Sequence, residues 1–122
     1  MADLKIPGIR KNISLKNYTT YKIGGSAKYF CIAKKREDLE LAAREAKKLE
    51  LPILILGGGS NILVSDNGFV GVVIKMEINT IELKKSKISA GAGVSLSKLA
   101  YFLSNKGYSG LEWAAGIPGT VG

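Results

Sequence analysis

Histidine is absent from this chain of 122 residues, and cysteine occurs only once. Without histidine the chain cannot form a Ser-His-Asp triad, use an imidazole as an acid or base, or build most kinds of zinc site. The single cysteine, Cys31, cannot form an internal disulfide, and it lies in an apolar run that is typical of a buried strand. These absences predict no metal site, and they imply that any catalytic chemistry comes from outside these residues.

Long apolar runs are lacking as well. The most apolar stretch, residues 51–56, is far shorter than the roughly 20 residues that cross a bilayer, and residues 1–10 lack the apolar core of a signal peptide. The composition, with 46% hydrophobic and 23% charged residues, is ordinary for a protein that buries a core. We therefore expect a cytoplasmic protein that forms one globular unit, or part of one, without membrane insertion.

The charge is strongly positive, at +8, and most of the 18 basic residues precede residue 50. Such a balance is compatible with an anionic partner. However, the basic residues are spread over predicted loops and a helix flank, without the interleaved aromatic side chains of a nucleic-acid platform. We interpret them as a solvated basic face and expect no nucleic-acid partner.

Hydrophobic periodicity predicts a βαβ unit in the first half of the chain. Residues 27–33 are rich in aromatic and apolar side chains, as in a strand that is covered on both faces. Residues 37–49 have apolar positions at helical spacing, which predicts an amphipathic helix. Residues 53–56 follow Pro52 as a short, continuous apolar run, which predicts a buried parallel strand.

The second half of the chain predicts further strands and a second helix. The Asp-Asn-Gly sequence at residues 66–68 is a strong turn signal, and residues 70–74 after it predict a strand. Residues 78–83 and 87–90 are expected to form a strand pair. A helix begins at the capping residue Ser95 and ends before Gly107. The fold class predicted from these elements is α+β.

The most informative segment for function is the glycine loop, residues 57–61, which directly follows the strand at 53–56. Ligands favour this position in α/β sheets. Three glycines remove the Cβ atoms that would keep a phosphate away from the main chain, and Ser60 and Asn61 add polar side chains. No Lys-Ser or Lys-Thr follows, and no helix begins here, which excludes the Walker loop and the Rossmann fingerprint. A plain glycine turn is the commoner explanation for one such segment alone.

Two further glycine-rich segments, residues 90–94 and 116–122, lie at a strand end and in a loop. Each segment alone is weak evidence for a ligand site, since glycine is common in surface turns. Together with the glycine loop they favour backbone recognition of an extended anionic cofactor. The residues alone leave open whether that cofactor is FAD or another nucleotide.

Three segments resemble the family of UDP-N-acetylenolpyruvoylglucosamine reductases (MurB-type flavoenzymes) and occur in the family's order. They are NYTTYKIGG at residues 17–25, LGGGSNILV at residues 56–64 and GLEWAAGIPGTVG at residues 110–122. The resemblance implies an FAD-binding domain of the vanillyl-alcohol-oxidase (PCMH) type, in which two small α/β subdomains hold the cofactor. Residues 1–122 would then be a partial FAD-binding domain, comprising the first subdomain and the start of the second.

The same resemblance implies which residues bind FAD. The glycine loop would hold the pyrophosphate, and the later segment would run alongside the cofactor. FAD would be bound without a covalent link, because the histidine that attaches it in many relatives of this fold is absent. The implied cofactor-binding residues are Gly57, Gly58, Gly59, Ser60, Asn61, Gly116, Ile117, Gly119, Thr120 and Val121.

For the full enzyme, the resemblance implies hydride transfer from NADPH through FAD to a UDP-sugar substrate, forming UDP-N-acetylmuramate for peptidoglycan synthesis. The family's proton-donating serine, with its assisting arginine and glutamate, lies beyond the motif that ends at Gly122. We therefore expect a fragment without reductase activity of its own. The alternatives are another flavin oxidoreductase of the same fold and a non-catalytic basic binding module.

Overall fold

Two β-sheets and two α-helices are formed by residues 4–122, the part of the chain that the computed structural model describes. The strands are β1 Arg10–Ser14, β2 Ser26–Ala33, β3 Ile53–Leu56, β4 Phe69–Met76, β5 Ile81–Lys84 and β6 Lys87–Ala90. The helices are α1 Arg36–Lys48 and α2 Leu96–Asn105, and short 3-10 helices lie at Leu15–Tyr18 and Glu112–Ala114. These elements confirm the predicted α+β class.

The larger sheet has four strands in the order β1-β2-β4-β3. Strands β2, β4 and β3 are parallel to one another, and β1 pairs antiparallel with β2. The predicted βαβ unit is therefore present, but β4 lies between its two strands. Because the three parallel strands end at the same edge, the loops after β3 and β4 lie next to each other.

Each face of this sheet has its own core. Helix α1 covers one face, where its fully buried Ala42 and Ala46 pack against Cys31 and Ile74. Asp38 helps to start α1, because its carboxylate accepts hydrogen bonds from the backbone N–H groups of the two residues before the helix. The other face is covered by the first 3-10 helix and the loop after β3. Its buried residues are Leu15, Ala27, Phe30, Leu56 and Val73.

The prediction that residues 53–56 form a buried strand is wrong in one respect. The strand is parallel, as expected, but it lies at the edge of the sheet, and Ile53 and Ile55 are 39% and 49% exposed. A short apolar run has the same appearance at an edge as in the centre of a sheet, because strand order depends on tertiary pairing. Strand β1 was not expected, since its sequence, RKNIS, is largely polar.

The second half of the chain forms a smaller unit. Strands β5 and β6 form an antiparallel hairpin, and α2 packs its buried Leu99 and Leu103 against the apolar side chains of that hairpin. Ser95 caps α2 as expected, since its hydroxyl accepts a hydrogen bond from the backbone N–H of Lys98. Neither helix found within residues 4–122 is long and apolar enough to cross a membrane.

Candidate cofactor-binding site

A cleft of about 490 Å³ lies at the carboxyl end of β3. One wall is the glycine loop with its neighbours, and the other is the segment at residues 118–122. The residues that line the cleft are Ile55, Leu56, Gly57, Gly58, Gly59, Ser60, Asn61, Ile62, Pro118, Gly119, Thr120 and Gly122. The structure thus brings together two segments that lie some 60 residues apart in the sequence.

The first two glycines of the loop have no Cβ atom that would separate the main chain from the cleft. A Cβ atom at Gly58 would meet only the Cα of Gly119, at 3.8 Å, and one at Gly57 would lie 3.1 Å from the Thr120 hydroxyl oxygen. Within residues 4–122 the backbone N–H groups of residues 58–61 donate no hydrogen bond. These amides are therefore free to donate to an anionic ligand.

The third glycine has a different role, because it supports the fold. Gly59 has a φ of +74°, and a Cβ atom there would lie 1.9 Å from the carbonyl oxygen of Tyr18. Its own carbonyl accepts a hydrogen bond of 2.9 Å from the backbone N–H of Thr20. This close approach ties the glycine loop to the segment that follows the first 3-10 helix.

The glycines of the first motif also serve the fold. A Cβ atom at Gly25 would lie 2.4 Å from the carbonyl oxygen of Asp66, and one at Gly24 would lie 2.6 Å from the Cβ of Val64. The backbone N–H of Gly25 donates to the carbonyl of Ser65, at 2.8 Å. The motif at residues 17–25 therefore holds in place the chain that leads from the glycine loop to β4. None of its residues is among those that line the cleft.

The opposite wall is fixed by main-chain hydrogen bonds to the smaller unit. The carbonyl of Gly119 accepts from the N–H of Leu96, and the N–H of Val121 donates to the carbonyl of Val94, at 3.1 and 2.9 Å. Thr120 forms a bridge with Ser95, the cap of α2. This pairing positions the Thr120 hydroxyl opposite Gly57.

The predicted site residues fall into two groups. Residues 57–61, Gly119 and Thr120 all line the cleft. Gly116, Ile117 and Val121 are outside the lining set, and their role beside the cofactor stays a prediction. The sequence interpretation missed Pro118 and Gly122, which lie within the predicted segment, and the apolar residues that flank the glycine loop. The only sequence signal for these residues is that they are neighbours of predicted site residues.

No charged side chain is among the residues that line the cleft in the described part of the chain. The ammonium group of Lys75 lies beside the glycine loop, however, and donates a hydrogen bond of 2.8 Å to the carbonyl of Gly57. Lys75 is near the carboxyl end of β4, where it is directly paired in register with Leu56. The sequence interpretation also missed this residue, because register between strands is not visible in a single sequence.

Comparison with known families supports the cofactor that the cleft suggests. The FAD binding domain family matches residues 27–122, from β2 to the second wall of the cleft. The chain belongs to this family. The match covers both walls of the cleft, so FAD is the cofactor that the cleft is expected to hold.

Relatives and solved structures agree with this assignment. The UDP-N-acetylenolpyruvoylglucosamine reductase of Acaryochloris marina is 42% identical over 117 residues, which are 93% of this chain and 38% of that protein. The Bacillus velezensis protein of the same name is 40% identical, and the alignment covers 100% of this chain and 41% of the relative. The crystal structure of MurB from Thermus caldophilus matches with a TM-score of 0.76 and 38% identity, over 93% of this chain and 40% of that one.

These comparisons confirm the resemblance to MurB-type reductases and the PCMH-type fold. The chain spans about 40% of the length of the relatives that it matches.

The residues of the cleft fit the phosphate-bearing part of FAD. The volume is within the range of roughly 300–1,000 Å³ that is usual for ligand pockets. Free main-chain amides, the hydroxyls of Ser60 and Thr120 and the side-chain amide of Asn61 are suitable donors to phosphate oxygens. This FAD-binding domain therefore has a polar cleft without a charged lining residue, and its hydrogen-bonding groups come from both the glycine loop and the segment at residues 118–122.

Proposed function

We propose that this chain is the FAD-binding part of an NADPH-dependent UDP-N-acetylenolpyruvoylglucosamine reductase. The observation that carries the proposal is the cleft, in which the glycine loop faces the wall that contains Thr120. Identities of about 40% to proteins that bear this name, over nearly the whole chain, support the same conclusion. The substrate class, a UDP-sugar, and the cytoplasmic location belong to this proposal.

The binding residues have distinct roles in the proposed site. The free N–H groups of residues 58–61 donate to the pyrophosphate, and Gly58 leaves the space that a side chain would occupy. The hydroxyls of Ser60 and Thr120 hold the phosphate oxygens from the two walls. Gly116, Ile117 and Val121 run alongside the cofactor in this proposal, as the family resemblance implies. When bound, FAD supplies the capacity to accept a hydride from NADPH and to pass it on.

FAD binding is tested by titrating the purified chain with FAD and following flavin fluorescence. We expect saturable binding that Gly58→Asp weakens at least about tenfold, or roughly 1.4 kcal/mol, because a carboxylate then stands where the pyrophosphate would lie. Ser86→Asp is the matched control, since it adds the same charge to the exposed turn between β5 and β6. Equal binding by the Gly58→Asp variant would contradict the proposed position of the pyrophosphate.

The reductase proposal needs the rest of a full-length enzyme. In a chimera, this chain replaces the matching part of the Bacillus velezensis relative, which aligns with all of it. We expect the purified chimera to retain FAD and to consume NADPH continuously only when UDP-N-acetylglucosamine enolpyruvate is present. The isolated chain is expected to have no such turnover. The Gly58→Asp chimera is expected to lose FAD.

Two results would favour the alternatives. A folded chimera that holds FAD but does not act on this substrate would favour another flavin oxidoreductase of the same fold. Salt-sensitive binding of nucleic acid by the isolated chain, without any affinity for FAD, would favour a basic binding module.

A further inference from the structure

Lys75 is a cation that β4 holds against the glycine loop. Its Cα is paired with that of Leu56, the last residue of β3, and its ammonium group donates to the carbonyl of the next residue, Gly57, at 2.8 Å. Side chains alternate along a strand, so Lys75 lies on the same face of the sheet as Val73, which contacts Leu56 in the second core. The long side chain therefore brings its ammonium group to Gly57, the first residue of the glycine loop, beside the residues that line the cleft.

The charge of the cleft makes this position significant. The pyrophosphate of a dinucleotide carries about two negative charges, yet the cleft-lining residues of the described chain include no charged side chain. An ammonium group has three donors. Within residues 4–122 the Lys75 ammonium donates one hydrogen bond, to the Gly57 carbonyl, which leaves donors for a ligand or for solvent.

We propose that Lys75 is a cofactor-binding residue that supplies the positive charge for the phosphates of FAD. The hydrogen bond from Lys75 also neutralises part of the negative charge on the Gly57 carbonyl oxygen. This oxygen would otherwise repel the phosphates at the start of the loop. The inference rests on the proposed function, since it needs the pyrophosphate to lie against residues 57–61. It adds a side chain from β4 to a site that is otherwise built from two loops.

The test compares the FAD affinity of three variants with that of the parent chain. Lys75→Met removes the charge and the donor, Lys75→Gln keeps a donor without the charge, and Lys75→Arg keeps the charge. Lys47→Met is the matched control, because it removes the same charge from an exposed position on α1, which covers the opposite face of the sheet. Riboflavin, which has the same ring system and no phosphate, is titrated in parallel.

We expect Lys75→Met and Lys75→Gln to bind FAD about tenfold more weakly than the parent at low salt, or roughly 1.4 kcal/mol. The difference should shrink as salt rises from about 0.01 M to about 1 M, where the Debye length falls from about 30 Å to about 3 Å. Lys75→Arg should stay within about twofold of the parent. Lys47→Met and the riboflavin affinities should be unchanged.

Several results would overturn the inference. A loss that is the same for FAD and riboflavin, or that does not depend on salt, would show a purely structural role. Full FAD affinity in Lys75→Gln would show that a neutral hydrogen bond is sufficient. If Lys75→Met does not fold, Lys75→Gln still decides whether the charge is needed. Failure of the parent chain to bind FAD would instead overturn the proposed function itself.

Discussion

Replacing Gly59 with alanine should destabilise the fold, although the change adds only one methyl group. The left-handed backbone at this residue has a φ of +74°, and the new Cβ atom would lie 1.9 Å from the carbonyl oxygen of Tyr18 and 2.9 Å from the Cα of Thr19. Both of these are backbone atoms, so no side-chain rotation can relieve the overlap. Either the glycine loop or the segment after the 3-10 helix must shift.

The magnitude follows from two terms. A non-glycine residue in the left-handed region costs roughly 1–2 kcal/mol. Forcing an extra carbon into a packed region typically costs about 1–3 kcal/mol. We therefore expect Gly59→Ala to lower the free energy of unfolding by roughly 2–5 kcal/mol, a large part of the usual total of about 5–15 kcal/mol.

The measurement is urea unfolding followed by far-UV circular dichroism, with Gly58→Ala as the matched control. Gly58 is outside the left-handed region, and its Cβ atom would meet nothing closer than 3.8 Å. We expect that variant to unfold within about 0.5 kcal/mol of the parent, or to be stabilised by about 0.4–1 kcal/mol through the unfolded state. A Gly59→Ala chain as stable as the parent would refute the packing described for this loop.

Two further predictions concern the core beneath α1. Ile74→Ala should lower the free energy of unfolding by roughly 3 kcal/mol, because Ile74 is fully buried, whereas Val70→Ala, at a side chain that is 69% exposed, should change it by less than about 0.5 kcal/mol. Urea unfolding measures both, and equal effects would contradict the assigned core. Burial, assisted by the nearby Asp38 carboxylate, raises the pKa of the Cys31 thiol to about 11, so the thiol stays protonated at neutral pH. Thiol labelling of the native chain should be slow at neutral pH and should still rise above pH 9, and labelling as fast as in the denatured chain would show that Cys31 is accessible.

Local patterns predict most of the secondary structure of this chain. The helical spacing at residues 37–49 and the capping serine before α2 are local features, and the structure has helices at Arg36–Lys48 and Leu96–Asn105. The order of the strands is not local. Residues 53–56 are equally apolar in the centre or at the edge of a sheet, and β1 exists because its backbone pairs with β2 despite a polar sequence.

The site shows the same division. Residues 57–61 are recognisable because they combine three glycines with a position directly after a strand. The approach of Thr120 to Gly57 depends on the pairing of residues 119–122 with residues 92–96, and the position of Lys75 depends on the register of β4 against β3. Contacts of this kind between distant segments cannot be read from one sequence without a family resemblance.

The three consecutive glycines illustrate why geometry is needed to separate binding from folding. All three look alike in the sequence, yet a side chain at Gly58 would enter an open cleft, whereas one at Gly59 would strike the backbone at Tyr18. A substitution at Gly58 can therefore lower the affinity for a ligand without lowering the stability of the fold. A substitution at Gly59 must lower the stability first. Since the carbonyl of Gly59 accepts a hydrogen bond from the N–H of Thr20, the glycine loop is held to the segment before β2 without any ligand. The cradle is thus preorganised by fold-supporting contacts, which reduces the entropy that a bound cofactor would otherwise lose in ordering the loop.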